Sequence, residues 1–258
     1  MPADKINITA IEAFDDNYIW LLSAGGKACA VVDPGDADPV LEVLERLGLD
    51  LSYILLTHHH HDHTGGVQEL LERYGATVFG PADERMPFVH RVCREGDEFE
   101  LADLDVNFKV LEVPAHTRSH IAFFAEDILF CGDTLFSIGC GRFFEGTASD
   151  MQTSLDKLAA LPADTKVYCA HEYTQANCAF ALAVDPANAA LQTRALEVDR
   201  LRAANKITLP GLLGDELAAN PFLRTRADSV VEAARKFDPD ATPGTATMAI
   251  IRAWKDRF

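Results

Sequence analysis

The stretch "THHHHDHTGG", residues 57–66, crowds five histidines and one aspartate into positions 58–63. A purification tag would stand at a chain end, whereas this run stands well inside the chain. Imidazoles packed this closely repel one another when protonated, so the run makes physical sense if the rings stay neutral and hand their lone pairs to a cation. A metal ion is the natural candidate. The run follows "LSYILLT" (51–57), which reads as a buried strand, and leads into "GGVQELLERYG", which reads as a helix stopped by Gly75. Residues two apart in an extended chain project to the same side, so His58 and His60 are expected to share one ion. Asp62 and His63 arrive as the chain turns toward the helix and should point to a second ion, while His59 and His61 face away.

Outward from this run the pattern is layered α/β. "ACAVVD" (28–33) reads as a strand closed by the turn "DPGD", Asp38 and Pro39 as N-cap and first residue of a helix, and Gly48 as its end. "ATVFG" is a third strand. "LDVNFKVLEV" (104–113), "IAFFA" and "ILFCG" (121–132) look antiparallel, so the sheets should be mixed. Ser149 and Gln152 suggest a capping box before the helix "MQTSLDKLAALP", and "KVYCA" (166–170) is a further strand. After Tyr173 the segments "TQANCAFALAV", "PANAALQTRALEVDRLRAAN", "SVVEAARKF" and "TATMAIIRAWKDRF" are Ala-rich and helix-periodic, with no convincing strand.

The 258 residues, 48% hydrophobic, suffice for one large core with or without a small appended one. A net charge of −17 without a basic tract leaves no source for phosphate neutralisation, which argues against nucleic-acid partners. "MPADKINITA" contains no apolar leader, and "YIWLL" (18–22) is too short to cross a bilayer, so a soluble cytoplasmic protein without membrane partners is expected. Cys29, Cys93, Cys131, Cys140, Cys169 and Cys178 include no CxxC pair and read as small buried hydrophobes.

Four ligands are too few for two ions. His90, His116, His120 and His171 remain, and three of them follow apolar strands at turn-rich junctions, in "VLEVPAHTRSH" and "VYCAHEY". Asp133, which leaves "ILFCGDTLF" after a glycine, is the best carboxylate to bridge two cations. Singly, each of these reads more simply as a satisfied histidine or a turn residue. The HxHxDH cluster does not.

That cluster, with "PAHT", "CGDTLF" and "AHEY", resembles the metallo-β-lactamase superfamily, while "GCGRFFEG" (139–146), "NPFLR" (220–224) and the final "KDRF" resemble glyoxalase II, the hydroxyacylglutathione hydrolases. The resemblance implies a four-layer αβ/βα sandwich over 1–173 and a helical substrate-binding domain over 174–258. It implies that His58, His60 and His116 hold one divalent ion, that Asp62, His63 and His171 hold another, and that Asp133 bridges them. Zinc is the expected metal, with iron or manganese also suited to such ligands. The implied reaction is hydrolysis of S-D-lactoylglutathione to glutathione and D-lactate in methylglyoxal detoxification, by a monomer, with Asp62 orienting the activated water. Arg142, Phe143, Phe144, Tyr173, Arg252 and Lys255 would contact the glutathione thioester. Two positions depart from the family pattern: Phe144 stands where Tyr is frequent, and Ser119 where Gly is usual. The rival readings are a persulfide dioxygenase with a single iron, another hydrolase of the same fold, and a non-catalytic glutathione-binding module.

Overall fold

The computed structural model describes residues 6–258. The reading of the chain start as lacking an apolar leader falls partly on residues 1–5, outside the described residues. Two compact units form, one running to Glu112 and taking in Ser119–Gly132, the other comprising Val113–Arg118 and Asp133–Phe258.

In the first unit β1 (Asn7–Ala13), β2 (Asn17–Ser23) and β3 (Ala28–Val32) pair antiparallel, and β4 (Asp50–Leu55), β5 (Thr77–Pro81) and β6 (Arg91–Cys93) continue the sheet in parallel. Parallel neighbours need crossovers. They are α1 (Asp38–Leu47) between β3 and β4, then the short α2 (His61–Thr64) and α3 (Val67–Tyr74) between β4 and β5. Each longer helix buries one stripe, Val40 with Leu44 and Val67 with Leu70, in a core shared with Leu51, Ile54 and Val78. The antiparallel meander β7 (Glu98–Leu101), β8 (Val106–Glu112), β9 (Ile121–Ala125) and β10 (Ile128–Gly132) completes the unit. Phe79 of β5 stacks on Phe99 of β7 with ring centroids 4.3 Å apart, and Phe99 continues to Phe108 and Phe123 at 5.8 Å each, so an aromatic layer joins the two sets of strands. The mixed pairing expected from the sequence is therefore present.

Helix ends agree at the C-terminal side and differ at the start. Gly48 and Gly75 adopt the left-handed conformation that closes α1 and α3. Asp38, expected as a cap, is instead the first helical residue; Ala37 precedes it, and Asp36 Oδ1 accepts the Asp38 N–H at 3.1 Å.

The second unit opens with the hairpin β11 (Leu135–Phe136) and β12 (Gly139–Cys140), followed by α4 (Ala148–Ala159) and β13 (Lys166–Cys169). The capping box of α4 is Thr147 with Asp150, two residues before the expected pair. Thr147 Oγ1 accepts the Asp150 N–H and Asp150 Oδ2 accepts the Thr147 N–H at 2.8 Å, so Ser149 and Gln152 already lie inside the helix. Next come α5 (Thr174–Val184), α6 (Ala189–Ala203), β14 (Gly211–Leu212), α7 (Leu213–Ala219), α8 (Asp228–Arg235) and α9 (Thr245–Lys255). The strand β14 corrects the expectation of a strandless C-terminal region: two residues are too few to show periodicity, and they become a strand because β13 offers an antiparallel partner. Ile138, Cys178, Ala181, Leu191, Ala195 and Val198 form a core whose small residues let α5 and α6 approach closely. Among the described residues no helix is long and apolar enough to cross a membrane.

Candidate metal centre

In the first unit the histidine run is held from behind by the end of β3. Asp33 has φ +53°, a conformation that asparagine and aspartate tolerate better than most side chains, and its carboxylate faces the chain leaving β4. Asp33 Oδ1 accepts the Thr57 N–H at 2.8 Å, and Oδ2 accepts the Thr57 hydroxyl at 2.7 Å and faces His63 Nδ1 at 3.0 Å. The turn "DPGD" must press directly on the run. A Cβ on Gly35 would stand 1.9 Å from the Asp62 carbonyl oxygen, so only glycine fits.

From this base His58 Nε2 and His60 Nδ1 come within 3.0 Å of each other, while His58 Nδ1 lies 3.0 Å from the Thr57 hydroxyl. Asp62 Oδ2 lies 3.3 Å from His63 Nε2 and accepts the Asn17 amide at 3.1 Å. Ligands about 2.0–2.1 Å from a tetrahedral ion sit roughly 3.3 Å apart. The donor pairs within this unit have that spacing. Each of His58 and His63 also has its other ring nitrogen against a fixed partner, the arrangement that selects a tautomer for metal binding. His61 is exposed, and His59 is half-buried with Nδ1 3.7 Å from Asp83 Oδ2. Asp83 also takes a 2.6 Å hydrogen bond from Ser119 Oγ and a fork from Arg85, which holds its carboxyl far below the usual range. The serine that replaces the usual glycine thus anchors a loop beside the run. His120 stacks on His58 at 4.6 Å, and His90 serves the backbone, its Nδ1 accepting the Val78 N–H at 3.1 Å.

In the second unit Asp133 stands between two imidazoles. Its Oδ2 is 3.3 Å from His116 Nε2 and its Oδ1 is 3.3 Å from His171 Nε2. One carboxylate oxygen thus faces each histidine. His116 Nδ1 donates to the Arg142 carbonyl at 3.0 Å, which leaves Nε2 as the lone-pair nitrogen. His171 stacks on Tyr173 at 4.7 Å and 5°, and the half-open Tyr173 ring also meets the edge of Phe136. Phe144 is exposed with its ring 5.1 Å from His116; Phe143 is half-buried; the exposed Arg142 side chain reaches Asp256 at 3.4 Å. On α9, Arg252 is buried, donating to the Cys140 carbonyl at 3.0 Å and to Asp256 at 2.9 Å, and Lys255 donates to Asn177 Oδ1. All six cysteines are free and buried, and burial pushes the thiols of Cys29, Cys169 and Cys178 up to about 12, which rules them out as nucleophiles near neutral pH.

The sequence reading missed Asp33 and Asn17. Asp33 was visible only as part of a turn signal. It leads to a first expected result. Asp33→Asn keeps the shape and tolerates φ +53°, but its amide must aim a donor at either Thr57 or His63. Metal affinity and kcat/KM should fall by roughly 10 to 100-fold, the usual effect of losing an outer partner of a ligand. Metal titration with unchanged affinity would show that Asp33 does not orient His63.

The family model for the metallo-beta-lactamase superfamily matches residues 14–171, and that for the hydroxyacylglutathione hydrolase C-terminus matches residues 172–258. A hydroxyacylglutathione hydrolase of Xanthomonas euvesicatoria pv. vesicatoria is 52% identical over 255 residues, covering 98% of this chain and 99% of its own. Among solved structures, ETHE1 from Myxococcus xanthus shares the fold at TM-score 0.66 and 23% identity, with 97% of each chain covered. TTHA1623, solved in a di-iron-bound form, is 27% identical at TM-score 0.54, covering 64% of this chain and 91% of its own. Sheets of mixed direction flanked by helices, followed by a helical C-terminal region, are thus a metallo-β-lactamase fold. By similarity along nearly its whole length, the chain belongs to the hydroxyacylglutathione hydrolase family of the metallo-β-lactamase superfamily.

Proposed function

We propose that this chain hydrolyses the thioester of S-D-lactoylglutathione, releasing glutathione and D-lactate, as a cytoplasmic monomer serving methylglyoxal detoxification. The observation that carries the reading is Asp133, one oxygen toward each of two histidine Nε2 atoms at 3.3 Å, together with the hydroxyacylglutathione hydrolase relatives. His58, His60 and His116 would hold one divalent ion and Asp62, His63 and His171 another, with Asp133 between them; zinc is the expected metal. The di-iron form of TTHA1623 supports two ions and keeps iron as an alternative. Bound divalent ions supply Lewis acidity toward the thioester carbonyl and bring the pKa of water from about 15.7 toward neutrality.

The protein's own groups do the rest. Asn17 fixes one oxygen of Asp62, so this carboxylate is held to orient the attacking water. His116 is kept in one tautomer by the Arg142 carbonyl. Burial makes the thiols of Cys29, Cys169 and Cys178 poor nucleophiles, in keeping with water in that role. Residues 1–173 would carry the reacting centre and part of the glutathione contacts, and the helical domain 174–258 would add the rest. Arg142, Phe143, Phe144, Tyr173 and Lys255 offer donors and aromatic surface to the tripeptide. Arg252 already holds Cys140 and Asp256, so its help to substrate is indirect.

The deciding experiment combines metal analysis with an anaerobic assay on S-lactoylglutathione. About two ions per chain with turnover in the absence of oxygen supports the reading. A single iron with oxygen uptake on glutathione persulfide would overturn it in favour of a dioxygenase.

Lys255 carries a pH prediction. Burial, with the positive charges of Arg252 and Arg142 nearby, lowers its amine to about 8, against the opposing influence of Cys140 and Asp256. The charged form, which receives a glutathione carboxylate, is present below that value and lost above it. KM for the glutathione thioester should therefore rise as pH passes about 8, with kcat changing less. Lys255→Met should weaken kcat/KM by roughly 10 to 100-fold at neutral pH, the loss of a hydrogen bond to a charged group, and flatten the pH dependence of KM. A pH profile of KM that the substitution leaves unaltered would remove Lys255 from the substrate site.

A further inference from the structure

The motif "NPFLR" and the buried Glu216 have no part in the chemistry described so far. Both act on one short turn. Between β11 and β12 the chain runs through Ile138, whose φ of +57° is an outlier for a β-branched residue and persists only where surroundings hold it. Asn220 Nδ2 donates to the carbonyls of Phe136 and Gly139 at 3.2 and 3.0 Å and to Glu216 Oε2 at 3.0 Å. Asn177 Nδ2 donates to the Ser137 carbonyl at 2.9 Å, and Arg252 to that of Cys140. Glu216 receives the N–H of Ile138 at 2.7 Å and the hydroxyl of Ser137 at 2.9 Å. A Cβ on Gly139 would lie 2.5 Å from Asn177 Nδ2, so any other residue there would displace the Asn177 amide.

Four side chains from α5, α7, α9 and the residue that ends α7 thus take most of the turn's main-chain polar groups. Glu216, Asn220 and Asn177 are essentially fully buried. The ordinary reading of such a network is that it stabilises a turn. Its placement says more. Asp133 enters the turn two residues before β11, and the carbonyl of Arg142, two residues after β12, fixes the tautomer of His116. We infer that Glu216, Asn220 and Asn177 are positioning residues that hold the Leu135–Cys140 turn so that Asp133 and Arg142 stand where the reaction needs them. The inference rests on the proposed roles of Asp133 and His116.

The test uses isosteric variants, a distant control and one measurement on the native protein. In Glu216→Gln the amide oxygen can accept from Ile138 and Asn220 while the NH2 donates to Ser137, so kcat/KM should stay within about threefold of native, the scale of a retained hydrogen bond. Asn220→Asp keeps the shape but turns a carboxylate oxygen toward two carbonyls and Glu216. Its kcat/KM should fall on the order of 100-fold at saturating metal, as for a displacement of about 1 Å at a reacting centre. Leu44→Ala, in the core of the first unit beneath α1, should lower Tm while leaving kcat/KM of the folded protein near native. In the native protein the Ile138 amide should exchange slowly with solvent despite lying in a turn.

Native-like kcat/KM in Asn220→Asp, or a loss no greater than its folded fraction explains, would overturn the inference, and so would fast exchange at Ile138. The exchange measurement needs neither metal nor substrate. A slow Ile138 amide beside a fully active Asp133→Ala would therefore mean that the clamp exists but the bridging role is wrong, a different failure from loss of the clamp itself.

Discussion

Asp133→Ala is expected to lower metal content and to abolish most thioester hydrolysis, by more than the roughly 10 to 100-fold that follows loss of an outer partner. The carboxylate lies 3.3 Å from both His116 Nε2 and His171 Nε2, so one side chain supplies negative charge to two donor sets at once. If two ions are held as proposed, its removal would take away the one carboxylate between His116 and His171 and leave Asp62 as the remaining carboxylate ligand. Asp133→Asn separates charge from shape, because an amide has one oxygen and can serve only one side. Metal analysis should show that alanine loses occupancy at one or both positions and that asparagine retains part of it. Native metal content with near-native turnover in the alanine variant would rule out the bridge.

His58→Ala and His60→Ala should cripple the enzyme, while His59→Ala and His61→Ala should keep metal and most activity. His58 Nε2 and His60 Nδ1 converge to 3.0 Å, the spacing of two ligands on one ion, and neither exposed His61 nor His59 with its 3.7 Å approach to Asp83 belongs to that pair. His59 is the more sensitive of the two bystanders, with a loss of at most roughly 10 to 100-fold. The measurement is metal stoichiometry beside kcat/KM for all four variants. If His59→Ala proved more damaging than His58→Ala, the side of the chain assigned to the metal would be the wrong one.

The position of these residues on the chain explains which of them could be read from the sequence. The alternate spacing of His58 and His60 after an apolar strand is local, and backbone geometry alone converts it into a shared side. The strands ending near Asp133 and His171, the helix ends at Gly48 and Gly75, and the change to Ala-rich helices after Tyr173 are local in the same sense. The spacing of Arg252 and Lys255 on one helix was equally plain. What α9 faces was not, and packing gave the guanidinium to the Cys140 carbonyl.

Asp33 reaches His63 across 30 positions, Asn17 reaches Asp62 across 45, and Glu216 and Asn220 reach the Ile138 turn across 78 and 81. No periodicity connects residues so far apart. Asp33 carries the signature of a turn and Asn220 that of a helix end, and each acquires its role only when strand order and helix packing bring a backbone group or an imidazole within 3.0 Å. The proposed ligands, their order and the elements that bear them are local features of the chain and were legible in it. Tertiary structure decided which neighbours orient those ligands, because a hydrogen bond depends on distance in space and the chain's local geometry constrains that distance over only a few residues.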